Sequence, residues 1–89
     1  MFTFDPNKDA INLNKHGLSL AEAADLDWSE ALIWVDKRKD YGEIRQIGLV
    51  PMNQRLYNVV FVDKKTERRI ISFRKANNRE YERYEQETD

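Results

Sequence analysis

A chain of 89 residues without a single cysteine can build neither a disulfide framework nor a thiolate zinc site. It is long enough for one small core, and it shows no basic-then-apolar leader and no membrane-length apolar run, so a soluble, cytoplasmic protein is expected. The net charge of −1 hides an asymmetry, because residues 1–44 carry −4 and residues 45–89 carry +3. A local basic patch can hold a polyanion on a nearly neutral protein, and the bland alternative is a mixed surface that keeps a small domain soluble.

No repeat, linker or low-complexity stretch divides the chain, so residues 1–89 are read as one domain. Phe2-Thr3-Phe4 suits a short first strand. Asp5-Pro6 then offers an N-cap acceptor and a proline at the first helical position, and the helix should run to Lys15-His16 and stop at Gly17. Ala10, Ile11 and Leu13 give that helix a thin apolar face. Ser19 and Glu22 have capping-box spacing, which predicts a second short helix through Ala23, Ala24 and Leu26. Asp27 to Glu30 reads as a turn and Ala31 to Val35 as a strand, with Trp28 and Trp34 packing near its ends and lending themselves to the core. Asp36 to Asp40 looks solvated and hairpin-like.

Glu43 to Val50 alternates like a strand, with Glu43, Arg45, Ile47 and Leu49 on one side. Pro51-Met52-Asn53-Gln54 turns the chain. Leu56 to Val62 is apolar on nearly both faces and suits a central strand. Asp63 to Thr66 turns again, Arg68 to Phe73 returns, and a terminal helix starts at Asn77 or Asn78. The fold class is therefore α+β: two N-terminal helices, an antiparallel meander of three to four strands and a C-terminal helix.

Candidate chemistry is sparse. One histidine and no tight carboxylate cluster argue against a zinc site, and no glycine-rich phosphate loop or nucleophile elbow is present. His16 has the right ordinary pKa for proton transfer, although a histidine in a last helical turn also serves the helix dipole and free carbonyls, and position alone favours that role. What remains is arginine chemistry in the run Arg69-Ile70-Ile71-Ser72-Phe73-Arg74, since a guanidinium fork grips phosphate in two places. Glu43 could act as a base toward a ribose 2′-hydroxyl, with Arg45 and Arg74 stabilising charge on the phosphate. The plain alternative is a cross-strand ion pair on an exposed sheet face. Tyr81 and Tyr84 are better suited to docking the terminal helix than to stacking on bases.

Four motifs occur in order: Asp5-Pro6-Asn7-Lys8, then Asn12 with Lys15-His16-Gly17, then Glu43-x-Arg45-x-Ile47-Gly48, then Arg69-Ile70-Ile71-Ser72-x-Arg74-Lys75-Ala76. Together they resemble the BrnT family, small ribonuclease toxins of type II toxin–antitoxin pairs, from Phe2 to about Tyr84. The resemblance implies a RelE-like fold and metal-independent RNA cleavage by 2′-hydroxyl attack, leaving a cyclic phosphate and a 5′-hydroxyl, with no cofactor. It implies a cognate DNA-binding antitoxin, operator DNA reached only through that antitoxin, an RNA substrate, the ribosome as a further candidate contact, and no membrane. Carried over residue by residue, Arg69 and Arg74 would contact the phosphate, Arg45 would assist, and Glu43 or His16 would move the proton. An ideal strand sends Arg69 and Arg74 to opposite faces. A bulge or the turn near Phe73 must bring them together; otherwise Arg69 is structural and Arg68 shares the face of Arg74.

Overall fold

The computed structural model describes residues 1–88 as an α+β fold. Strand β1 (Phe2–Phe4) leads into helix α1 (Pro6–His16), followed by 3-10 segments at Leu20–Asp25 and Trp28–Glu30. Strands β2 (Leu32–Val35), β3 (Gln46–Met52), β4 (Arg55–Asp63) and β5 (Arg68–Lys75) come next, and helix α2 (Asn78–Thr88) closes the chain. The sheet has five strands in the order β1-β5-β4-β3-β2, with β1 parallel to β5 and the other pairs antiparallel. The expected meander of three to four strands is thus extended by Phe2–Phe4, which joins the far edge as a parallel strand. No local pattern announces a pairing between residues that far apart in sequence.

The expected second helix is also corrected. Ser19 does cap it, in a capping box with Glu22, but the six residues wind as a 3-10 helix. The cause lies in which residues must be buried: Leu20, Ala23 and Leu26 recur every third position and all point into the core. That period matches a 3-10 helix, whose side chains eclipse every third residue. These residues pack with Trp28 on one sheet face, over Val50, Tyr57, Val59, Phe61, Ile70 and Phe73. Gly48 lets the layers close, since a Cβ there would stand 3.3 Å from Phe61 and 3.5 Å from Trp28.

Helix α1 starts and stops as its caps dictate, with Asp5 accepting from Asn7 N–H at 2.8 Å and Gly17 in the left-handed conformation. Its apolar residues do not dock it. Ile11 and Leu13 face solvent, and the buried residue is Asn12. The Asn12 amide accepts the Phe73 N–H at 3.1 Å and donates to the Phe73 carbonyl at 2.8 Å, so one side chain replaces a strand partner beyond the end of β1. Asp9 adds bonds to Ser19 Oγ at 2.9 Å and Leu20 N–H at 2.7 Å. Asn12→Ala should cost roughly 1–3 kcal/mol, because it strands a buried backbone donor. Urea unfolding checks this, and an unchanged midpoint would mean that water substitutes for the amide.

Two further boundaries move. The β3–β4 turn is only Asn53-Gln54, both at positive φ, so Pro51 lies within β3 paired with Leu56. Two-residue hairpin turns of this kind match the twist of their strands. Glu43 and Arg45 are not in a strand, because β3 begins at Gln46. They belong to the β2–β3 loop, where Lys37 to Asp40 are exposed as expected and Asp36 is instead buried, receiving Arg38 Nε at 2.8 Å and Tyr41 Oη–H at 3.1 Å. The Arg38 guanidinium holds the Asp36 carboxyl well below the usual carboxylate range.

Candidate active site

The floor of the site is a defect in β5. Ile70 and Phe73 are both buried in the core although their odd separation should send them to opposite faces. The register explains it: Val60 faces Ser72 and Phe61 faces Ile70, so Ile71 is an extra, unpaired residue in the ladder. This bulge resets the alternation. Arg69 on one side of it and Ser72 and Arg74 on the other then share the face away from the core. Of the two devices expected near Phe73, a bulge or the turn, the structure has the bulge, at Ile71, and it leaves Arg69 on the face of Arg74. Arg68 points the other way, its guanidinium 4.3 Å from the Phe61 ring centroid and 4.7 Å from that of Trp28, paired with Asp63.

Two adjoining cavities of about 180 Å³ open over the bulge. One is lined by Asp5, Lys8, Glu43, Arg45, Arg69 and Ile71, the other by Lys8, Ile11, Lys15, His16, Ile71 and Ser72. They share Lys8 and Ile71 and so form one groove between α1 and the β2–β3 loop. Each is smaller than the usual site for a drug-sized ligand and suits a fragment such as a phosphate and its sugar. Lys8 and Lys15, seven apart on α1, were passed over in the sequence reading; that spacing places both on one helix face.

The charges are organised around carboxylates. Glu43 Oε1 accepts Arg69 Nη2 at 2.7 Å and Oε2 accepts Arg45 Nε at 3.3 Å. Burial pushes the Glu43 carboxyl up, but hydrogen bonds from Arg69 and Arg45 outweigh it and leave the group below its ordinary pKa. Arg45 also lies 4.2 Å from the Tyr41 ring centroid. Arg74 is paired with Glu80 of α2, an acceptor that the sequence analysis did not single out. Its signal was present, because Asn77 and Glu80 have capping-box spacing.

His16 lines the α1 side of the groove. The end of α1 is closed by Gly17, whose N–H donates to Leu13 O at 2.8 Å, so the imidazole is not needed for that task. Burial, then the charges of Lys15 and Arg74, depress the His16 pKa below its ordinary value. It is therefore mostly neutral near pH 7. Of the five residues singled out from sequence, Glu43, Arg45 and Arg69 line one cavity and His16 the other, whereas Arg74 lines neither of the two and lies further along the same sheet face, paired with Glu80. Tyr81 and Tyr84 dock α2, as expected, through the Leu56 N–H at 2.9 Å and the Glu30 carbonyl at 2.6 Å.

Among the described residues no three His, Cys, Asp or Glu side chains gather as metal ligands, and no helix is long and apolar enough to cross a membrane. Compared with known families, residues 4–80 match a family model described as the ribonuclease toxin, BrnT, of type II toxin–antitoxin systems. A search of curated proteins returned no match.

Proposed function

The chain belongs to the BrnT family of type II toxin–antitoxin ribonuclease toxins, and from that membership we propose a metal-independent endoribonuclease that cuts RNA in the groove between α1 and β5. The observation that carries this reading is the bulge at Ile71, which turns Arg69 and Arg74 to one face of the sheet, with His16 on the wall of the groove that opens over the bulge. A phosphate over Ile71 would meet Arg69 and Arg45 on one side and Arg74 on the other. Their fixed donors are suited to the extra negative charge of a pentacovalent phosphorus. His16 takes the proton from the ribose 2′-hydroxyl, whose oxygen attacks the adjacent phosphorus. The bond to the 5′-oxygen breaks, and that oxygen takes up a proton from solvent, leaving a cyclic phosphate and a 5′-hydroxyl.

Glu43 is the weaker base of the two, because its two arginine partners hold it anionic and would lose their counter-ion if it were protonated. Its role is to fix Arg69 and Arg45. In the cell, cleavage of messages would inhibit translation. A cognate DNA-binding antitoxin would neutralise the chain and carry it to operator DNA, while the ribosome remains a candidate contact for the same groove.

The test is cleavage of a labelled RNA by the purified chain in excess EDTA across pH 5 to 8. The base works only when neutral, so the rate should be flat above about pH 6.5. Below the depressed pKa of His16 it should fall roughly tenfold per pH unit. Cyclic phosphate ends with that profile support the reading. Intact RNA at every pH would instead favour a non-catalytic module whose arginine groove receives an acidic antitoxin segment in a repressor complex. Arg69 already donates to the Glu43 carboxylate and Arg74 to that of Glu80, the kind of acceptor such a segment would bring.

A further inference from the structure

The Glu80 carboxylate, the partner of Arg74, accepts four hydrogen bonds. Its oxygens receive Arg74 Nη1 at 2.9 Å, Arg74 Nη2 at 2.9 Å, the Asn77 N–H at 2.9 Å and Asn58 Nδ2 at 2.8 Å. In return the Asn77 side chain accepts the Glu80 N–H at 2.9 Å, which completes a capping box at the start of α2. Asn58 is buried in β4 directly opposite Arg74 of β5. The carboxylate is thus pinned both by a helix start and by the sheet, and it has no freedom to follow a moving arginine.

The guanidinium geometry makes this arrangement informative. Nη1 spends one N–H on Glu80 Oε1 and donates at 3.1 Å to the Lys75 carbonyl, and Nη2 spends one on Glu80 Oε2. Nε–H and the second Nη2–H are left without a partner among the described residues. They lie side by side on one edge of the planar group and form a second fork with the spacing of a phosphate or carboxylate. An unbuttressed arginine would sample many rotamers. Here one fork is clamped so that the other is fixed in direction.

We propose that Glu80 is a positioning residue for RNA cleavage, holding Arg74 by its Nη1/Nη2 edge so that the Nε/Nη2 edge is presented to the phosphate. This rests on the nuclease reading given above. Glu80 touches neither phosphate nor ribose and acts through Arg74 alone.

Glu80→Gln separates this role from a structural one, because glutamine also completes a capping box but cannot clamp a guanidinium with two acceptor oxygens. Kinetics on a labelled RNA oligonucleotide should show kcat lower by roughly ten- to a hundred-fold, as for a misplaced catalytic group. KM should be unchanged or lower, since a negative charge has been removed beside a polyanion site. In an Arg74→Ala background Glu80→Gln should have no further effect on kcat. Far-UV circular dichroism should show α2 intact; if it does not, Asn58→Ala, which loosens the same carboxylate from the sheet side, should give the same kcat loss with KM preserved. Four results would overturn the proposal. Wild-type kcat in Glu80→Gln would do so while leaving the nuclease reading standing. Faster cleavage would make the pair a restraint on Arg74, and an equal further loss in the Arg74→Ala background would make Glu80 merely structural. A wild-type chain that leaves RNA intact overturns the nuclease reading, and this assignment with it.

Discussion

Arg69→Ala is expected to slow RNA cleavage roughly a hundred- to a thousand-fold, the loss that follows removal of one fixed donor to a developing oxyanion. The fold should survive it. Arg69 holds its place in the sheet by its backbone, opposite Val62, and its side chain lies outside the core. Glu43, its partner at 2.7 Å, keeps Arg45 when Arg69 is gone. A partly exposed ion pair of this kind adds little to stability. Single-turnover cleavage of a labelled RNA, with the thermal midpoint measured alongside, decides the matter. Arg69→Lys should recover only part of the rate, because an ammonium supplies charge without a planar fork. A wild-type rate in Arg69→Ala would reduce Arg69 to a counter-ion for Glu43 and leave Arg45 and Arg74 to carry the chemistry.

The largest effect on stability is expected on the opposite face of the sheet. Phe61 is fully buried, meets the Trp28 ring edge-on with centroids 5.3 Å apart, and carries the Arg68 guanidinium over its own face. It also lies at the register shift in β4 and against Gly48. Phe61→Ala removes a ring that no neighbour can replace and should cost about 3–5 kcal/mol. That is a large fraction of the roughly 5–15 kcal/mol that holds a small domain together. A midpoint lowered by about 4–8 °C per kcal/mol would follow. Calorimetry or urea unfolding measures it, and a loss below about 1 kcal/mol would mean that the two layers collapse to fill the space. Cleavage per folded molecule should be unchanged well below the midpoint, since the groove lies across the sheet from Phe61.

Local signals were legible. The Asp5-Pro6 start, the Gly17 stop and the Ser19–Glu22 box each depend on a few adjacent residues, and all three form as read. The central strand at Leu56 to Val62 was equally plain, because an apolar run on both faces has few other uses. The misreadings share a cause, which is that their reasons lie elsewhere in the chain. Ile71 becomes a bulge because Ile70 and Phe73 are both needed by a core that includes Leu20 and Ala23. Glu43 and Arg45 alternate like a strand, yet the loop over the outer face is fixed by buried Asp36 with Arg38 and Tyr41. Helix α1 shows only a thin apolar face at Ala10, Ile11 and Leu13, and it docks through Asn12. Glu80 and the pair Lys8 and Lys15 could have been found from capping-box and heptad spacing.

The use of Asn12 in place of a strand partner has a consequence for synthesis. A ribosome making this chain releases α1 early, while the backbone that Asn12 must bind lies 61 residues further on. Until Phe73 emerges, α1 has two exposed apolar residues and nothing to hold it against a sheet. The bulged floor and the Arg74 clamp therefore come together with the docking of α1, once residues 69 to 80 have been made. A chain cut short before Phe73 is expected to lack the docked α1 and with it the groove, so any RNA cleavage by that groove should be absent from such a fragment.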